Sequence, residues 1–213
     1  MNNRLKFVFA LLLSLIGWSV PALANEAALY DPAPPPGSAY LRLINANAKG
    51  AISLSLDGGA FVSSPEASAS DYIVVPQGAK SAGFGGKDLT VTLGAGKFYS
   101  IVVSSGQGRL VEDPILKTRA KALLRIYNLS SKTALSLKTG DGKVAIIEGV
   151  AAAAAADREV SAATLKLAVF EGANKLAETP EVAIKRGFAY SVLAIGSGDG
   201  VKLVWVKSAT RLR

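Results

Sequence analysis

Histidine and cysteine are both absent from this sequence. Without an imidazole, a serine hydroxyl lacks the base that most often takes its proton during acyl transfer. Without thiols, cysteine nucleophiles and disulfides are excluded, and so are zinc or copper sites built on imidazole or thiolate ligands. Tryptophan is scarce as well. Trp18 lies in an N-terminal apolar run, which leaves Trp205 as the one indole of the remaining chain and few platforms for stacking a sugar. Function is therefore expected in binding, or in chemistry carried by carboxylates, lysines or a partner. No cofactor, metal site or catalytic residue is expected.

What is present begins with an export signal. Arg4 and Lys6 precede the apolar run from Phe7 to Ile16, and Ala22-Leu23-Ala24 supplies a small-x-small cleavage site. That order reads as a secretory signal peptide over residues 1–24, cut after Ala24. The apolar run is shorter than the roughly 20 residues that span a bilayer, and no cysteine follows it to carry a lipid. The expected location is the periplasm, with a soluble mature chain. Half of the residues are apolar, enough to build cores without a disulfide or structural metal.

Charge is divided unequally. Residues 25–113 hold six basic and eight acidic groups, and residues 114–213 hold sixteen basic and eight acidic. A basic second half suits an acidic partner such as an anionic polysaccharide, lipid headgroups or an acidic protein face, and serves equally as a solubilising surface.

The chain repeats itself. Leu41-Arg42-Leu43-Ile44-Asn45 returns 83 positions later as Leu124-Arg125-Ile126-Tyr127-Asn128, and Ile52-Ser53-Leu54 returns as Leu135-Ser136-Leu137. Gly96 with Tyr99-Ser100-Ile101-Val102 returns 91 positions later as Gly187 with Tyr190-Ser191-Val192-Leu193. The second copy thus carries eight extra residues, and Ala151–Ala156 lies in that interval. Six alanines are too few for an independent helix, so a short helical turn or slack loop is expected there.

Each copy is β-rich. Ile52, Leu54 and Leu56 alternate with serines, and Leu89-Thr90-Val91-Thr92-Leu93 alternates likewise, the pattern of half-buried strands. Leu41 and Leu43 share one face, with Arg42 on the other. The reading is all-β: two tandem antiparallel β-sandwich domains, jelly-roll or immunoglobulin-like, related by internal duplication. A proline-rich arm over 25–37 leads into a first domain at 38–113 and a second, basic domain at 114–213.

The glycine clusters Gly83–Gly86, Gly106–Gly108 and Gly196–Gly200 sit between apolar runs and read as turns, since no helix signal or Gly-Lys-Ser/Thr follows. No Gly-x-Ser-x-Gly elbow occurs. Glu112-Asp113, Asp157/Glu159 and Glu178/Glu181 are expected on solvated loops or edges. Lys117, Arg119, Lys121, Arg125, Lys132, Lys138 and Lys143 form the densest basic stretch, and the first four are expected to project from one strand face as a row. Such a row could hold a polyanion or guard a strand edge.

Ala28-Leu29-Tyr30-Asp31-Pro32, the Pro-Gly segment and Ser38-Ala39-Tyr40-Leu41-Arg42-Leu43-Ile44-Asn45 resemble the AlgF family of alginate biosynthesis, as do Leu124–Asn128 and the Tyr-Ser strands. The first copy also resembles a broader class of exported β-sandwich domains of unassigned function. The AlgF resemblance implies a part in O-acetylation of alginate, an anionic exopolysaccharide, as a non-catalytic adaptor. Its implied partners are a membrane-bound O-acyltransferase-type acetyl exporter and periplasmic Ser-His-Asp acetyltransferases. Two other functions compete: an anionic-polysaccharide-binding module contacting alginate directly, and an acetyl carrier or transferase using serine or lysine.

Overall fold

Alternating and continuous apolar segments become strands throughout, and no helix occurs among the described residues, 34–47, 50–196 and 200–211 of a computed structural model. The first domain pairs two sheets. Its outer sheet runs in the order β3 (Ala60–Ser64), β2 (Ile52–Leu56), β6 (Gly78–Phe84), β7 (Lys87–Leu93). Its inner sheet has β5 (Tyr72–Pro76), β1 (Ser38–Asn45), β8 (Phe98–Ser104) and β9 (Gln107–Asp113) in that order, with β4 (Ser68–Ala69) also on β1. Leu41, Leu43, Ile101 and Val103 of the inner sheet meet Leu54, Leu56, Val91 and Leu93 of the outer one in a closed core.

The second domain repeats the plan. Its inner sheet runs β13 (Ala155–Val160), β10 (Ala122–Ser130), β18 (Ala189–Gly196), β19 (Lys202–Lys207). Its outer sheet runs β12 (Ala145–Ala151), β11 (Ala134–Thr139), β15 (Leu167–Glu171), β16 (Asn174–Glu178). A separate ribbon joins β14 (Ala163–Leu165) to β17 (Val182–Ile184). Leu124, Ile126, Leu135, Leu137, Val169 and Val192 centre its core.

The all-β, two-domain reading holds. Strict antiparallel pairing does not: β1 runs parallel to β8, and β10 parallel to β18. Between β1 and β8 the chain builds the whole outer sheet, which supplies the long crossover that parallel neighbours require. A third parallel pair joins β20 (Thr210–Arg211) to β5, so the end of the chain returns to the first domain's sheet. The alanine segment is neither helix nor slack loop. Ala151 ends β12, Ala152 and Ala153 turn with Ala153 at φ 59°, and Ala155 and Ala156 pair with Tyr127 and Ile126. The signal peptide, its cleavage site and residues 25–33 of the arm lie outside the described residues. The described end of the arm, Pro34–Gly37, closes in a turn at Pro36-Gly37.

The two inner sheets lie back to back. Ile44, Ala46 and Val102 of the first pack on Tyr127, Leu193 and Ile195 of the second in a third apolar cluster, which gives four layers in sequence: outer, inner, inner, outer. Within the first sandwich the packing is tight at Gly108, where an added Cβ would stand 2.3 Å from Phe84 Cζ. The ring is itself packed in the core, so Gly108→Ala should cost on the order of 1–3 kcal/mol by overpacking. Urea unfolding of this variant checks that value.

Candidate functional site at the seam between the domains

On β1, Arg42 and Ile44 face away from the first core and meet the second domain. Arg42 is 1 % exposed. Its Nε donates to Ser100 Oγ at 2.7 Å, and its Nη2 donates across the seam to Tyr127 OH and Ser191 Oγ, both at 3.0 Å. Nη1 reaches Ser208 Oγ at 3.4 Å. Asp113, the last residue of β9, is 6 % exposed and receives three hydroxyl donors. Ser100 Oγ donates at 2.5 Å, Tyr72 OH at 2.7 Å, and Tyr127 OH to the other carboxylate oxygen. Arg125 Nε stands 3.4 Å from that second oxygen, while its Nη1 donates to Asp157 and its Nη2 to the Glu112 carbonyl, both at 3.1 Å.

Strand register shows how the duplication produced this cluster. Arg42 lies beside Ser100, and Arg125 beside Ser191, in equivalent parallel pairs. The carboxylates break the symmetry. In the first copy Phe98 pairs with Asp113; its counterpart 91 positions on, Ala189, accepts the Ser208 N–H at 2.9 Å. Serine therefore stands where the first copy has aspartate. In the second copy Arg125 pairs with Asp157, whereas Arg42, one step past the Leu41–Ile73 pair, stacks on the Tyr72 ring at 4.6 Å. Each copy supplies one arginine, one serine and one carboxylate, with the carboxylates on different neighbouring strands. Two positive and two negative charges meet at the seam.

Burial alone would disfavour the Arg42 cation, but Tyr127, Tyr72 and Asp113 outweigh it and hold the guanidinium above its ordinary value. Burial pushes the Tyr72 and Tyr127 phenols up, with Arg42 opposing and Asp113 adding to the rise. Both tyrosines therefore stay protonated and donate to Asp113. Although a serine hydroxyl meets a carboxylate here, Ser100 is fully buried. A substrate carbonyl has no route to its Oγ. The constellation is built to join domains.

Solvent enters beside it. A cleft of about 520 Å³ opens where the linker leaves β9, lined by Tyr72, Phe98, Ile115, Arg119, Ala189 and Ser208 among others. Phe98 is stacked on Tyr40 with ring centroids 4.1 Å apart, and meets Tyr72 edge-on at 5.1 Å. Tyr72 and Ser208 belong to both the cleft wall and the buried network.

A family model described as "Alginate O-acetyl transferase AlgF" matches residues 10–191. "Alginate biosynthesis protein AlgF" of Pseudomonas fluorescens is 36% identical over 212 residues, covering 99% of this chain and 97% of the relative. The chain belongs to the AlgF family. The protein of the same name from Azotobacter vinelandii is 36% identical over 198 residues, covering 92% of this chain and 90% of its own. Among solved structures, the C-terminal domain of AlgF from P. aeruginosa is 38% identical, covers 41% of this chain and 98% of its own, and superposes with a TM-score of 0.38.

In this member of the AlgF family Lys117, Arg119, Lys121 and Arg125 do not form one row. Lys117, Arg119 and Lys121 are exposed on the irregular linker, since strand structure resumes only at Ala122. Arg125 turns into the seam, Lys132 pairs with Glu171, Lys138 lies over the Phe170 ring, and Lys143 is exposed beside Asp141. Asp113 was expected on a solvated edge with Glu112. It is buried instead, because the second domain covers that end of β9 and brings Arg125 to it. Asp157 pairs with the same arginine, Glu159 accepts the Lys117 N–H, and Glu178 pairs with Lys166 and Lys175. Sequence reasoning missed Arg42, Ser100, Asp113, Tyr127 and Ser191 as a group. Their signal was an arginine and a serine kept at equivalent positions of both copies.

Asp113→Ala strands two buried guanidinium groups, and should cost on the order of 3–5 kcal/mol. Each domain has its own core, so calorimetry of this variant should show two transitions where the unsubstituted chain shows one. Ser208→Ala removes only the long contact and should leave a single transition within about 0.5 kcal/mol.

The tyrosines give a second test. A phenol that ionises less readily in the folded than in the unfolded chain contributes stability in full below the unfolded value of about 10. That contribution is lost as pH climbs through that value toward the higher folded one. The urea midpoint should therefore fall above about pH 10. In the Tyr72→Phe/Tyr127→Phe variant this fall should be shallower, and the phenolate absorbance that the unsubstituted chain releases only on unfolding should shrink.

Proposed function

We propose that the chain is a non-catalytic periplasmic adaptor in the O-acetylation of alginate. The observation that carries this reading is family membership along almost the whole chain in a sequence with no histidine. The family description and the relatives' names supply the pathway. The sealed seam supports the adaptor role. The place where serine, tyrosine and carboxylate converge is spent on fixing one domain against the other, and acyl transfer needs an accessible nucleophile with its base and oxyanion donors.

The partners in this reading are periplasmic Ser-His-Asp acetyltransferases and a membrane-bound O-acyltransferase-type acetyl exporter. They would supply an oxyanion site and the imidazole that this sequence does not contain. The signal-like N-terminus supports export to the compartment where such enzymes meet the polymer.

Co-purification of the mature chain with such an acetyltransferase, identified by mass spectrometry, is the expected result. Intact-mass measurement after incubation with an acetyl donor should show no added acetyl group. A stoichiometric adduct on the purified chain would overturn the adaptor reading in favour of an acetyl carrier.

A further inference from the structure

Three large apolar side chains are well exposed among the described residues: Ile115 at 54 %, Val144 at 58 % and Phe188 at 39 %. Ile115 lines the interdomain cleft directly. Arg119 is in the lining, and Lys117 and Lys121 are exposed on the linker beside it. None of these three makes an ion pair among the described residues. Glu159 is engaged with the Lys117 backbone N–H. The one acidic residue of the linker junction that is exposed, Glu112, is already held by Lys97 at 3.0 Å. An apolar side chain left in water beside unmatched cations marks a surface shaped for an acidic partner with an apolar anchor.

We propose that this cleft receives an extended acidic segment of a partner protein. An aliphatic or aromatic side chain of that segment seats against Ile115 and the Phe98–Tyr72 wall, and its neighbouring carboxylates meet Arg119 and Lys117. The proposal rests on the adaptor reading and names the surface that it would use. A peptide suits the cleft better than a sugar chain. Phe98 is already stacked on Tyr40 and meets Tyr72 edge-on, and the lining beyond them carries no further aromatic ring. A pyranose ring stacks on an open aromatic face, whereas an apolar side chain needs only a greasy recess. Because Tyr72 and Ser208 form both cleft wall and seam, the occupant would rest on a floor whose shape the Arg42–Asp113 network holds fixed.

The test uses the mature full-length chain and a purified periplasmic Ser-His-Asp alginate acetyltransferase of the same organism as the probe. Binding is measured by titration calorimetry, with mannuronate oligomers as a second probe. Ile115→Glu, and separately Arg119→Glu with Lys117→Glu, should each weaken acetyltransferase binding at least tenfold with the unfolding midpoint unchanged. Lys143→Glu, outside the cleft, should leave it within twofold. Raising salt should weaken the unsubstituted complex and leave the charge-reversed one nearly unaffected. If the unsubstituted chain binds and both cleft variants bind as well, the cleft proposal falls and the adaptor reading stands. If the unsubstituted chain does not bind the enzyme, both fall. Oligomer binding that the cleft substitutions abolish, with enzyme binding intact, would reassign the cleft to the polysaccharide.

Discussion

One carboxylate holds the two halves of this molecule in register. Asp113 faces two guanidinium groups and accepts from three hydroxyls, with Arg42 and Asp113 both almost wholly removed from solvent. Taking an ion out of water costs several kcal/mol, and only a complete set of partners offsets it. An apolar seam of similar area would stick as well, but it would tolerate sliding. Hydrogen bonds are directional. Arg42 can satisfy Ser100 in its own domain and Tyr127 and Ser191 in the other only at one rotation of the two inner sheets.

The fold was legible because its signals are local. Period-two alternation marked β2 and β7, glycine-rich turns bounded β8, and the displacements of 83 and 91 residues located the second copy. The parallel pairs were not legible. Direction in a sheet depends on where a strand returns after leaving, and no run of five residues records that.

The seam was hidden for a related reason. Arg42 between Leu41 and Leu43 looks like a solvated face of a half-buried strand, yet its partners stand 58, 85 and 149 residues away. The adjacent apolar pair Leu43-Ile44, and the unbroken runs Ile101-Val102-Val103 and Val192-Leu193-Ala194-Ile195, contradict that picture. A strand apolar on both faces is covered on both faces, and those residues divide accordingly between the domain cores and the seam cluster. The basic stretch misled in the opposite direction. Charge density along a sequence survives folding only if the backbone keeps one face outward, and here it passes from an irregular linker into a buried strand within a few residues.

Duplication explains how such a seam can arise. Two equal copies packed through equal faces would place Arg42 and Arg125 near one another with nothing between them. The divergence that makes the interface tolerable is the placement of a carboxylate on β9 in one copy and on β13 in the other, with Ser208 left where the second copy could have repeated Asp113. Once charge is balanced inside, the excess of basic groups in the second half has to lie elsewhere, and the linker places three of them, Lys117, Arg119 and Lys121, in the open beside the cleft. The same short connection thus ends the buried network at Asp113 and begins the exposed surface at Ile115. A partner docked there would meet both domains at once, and would meet them in a geometry that neither domain could hold by itself.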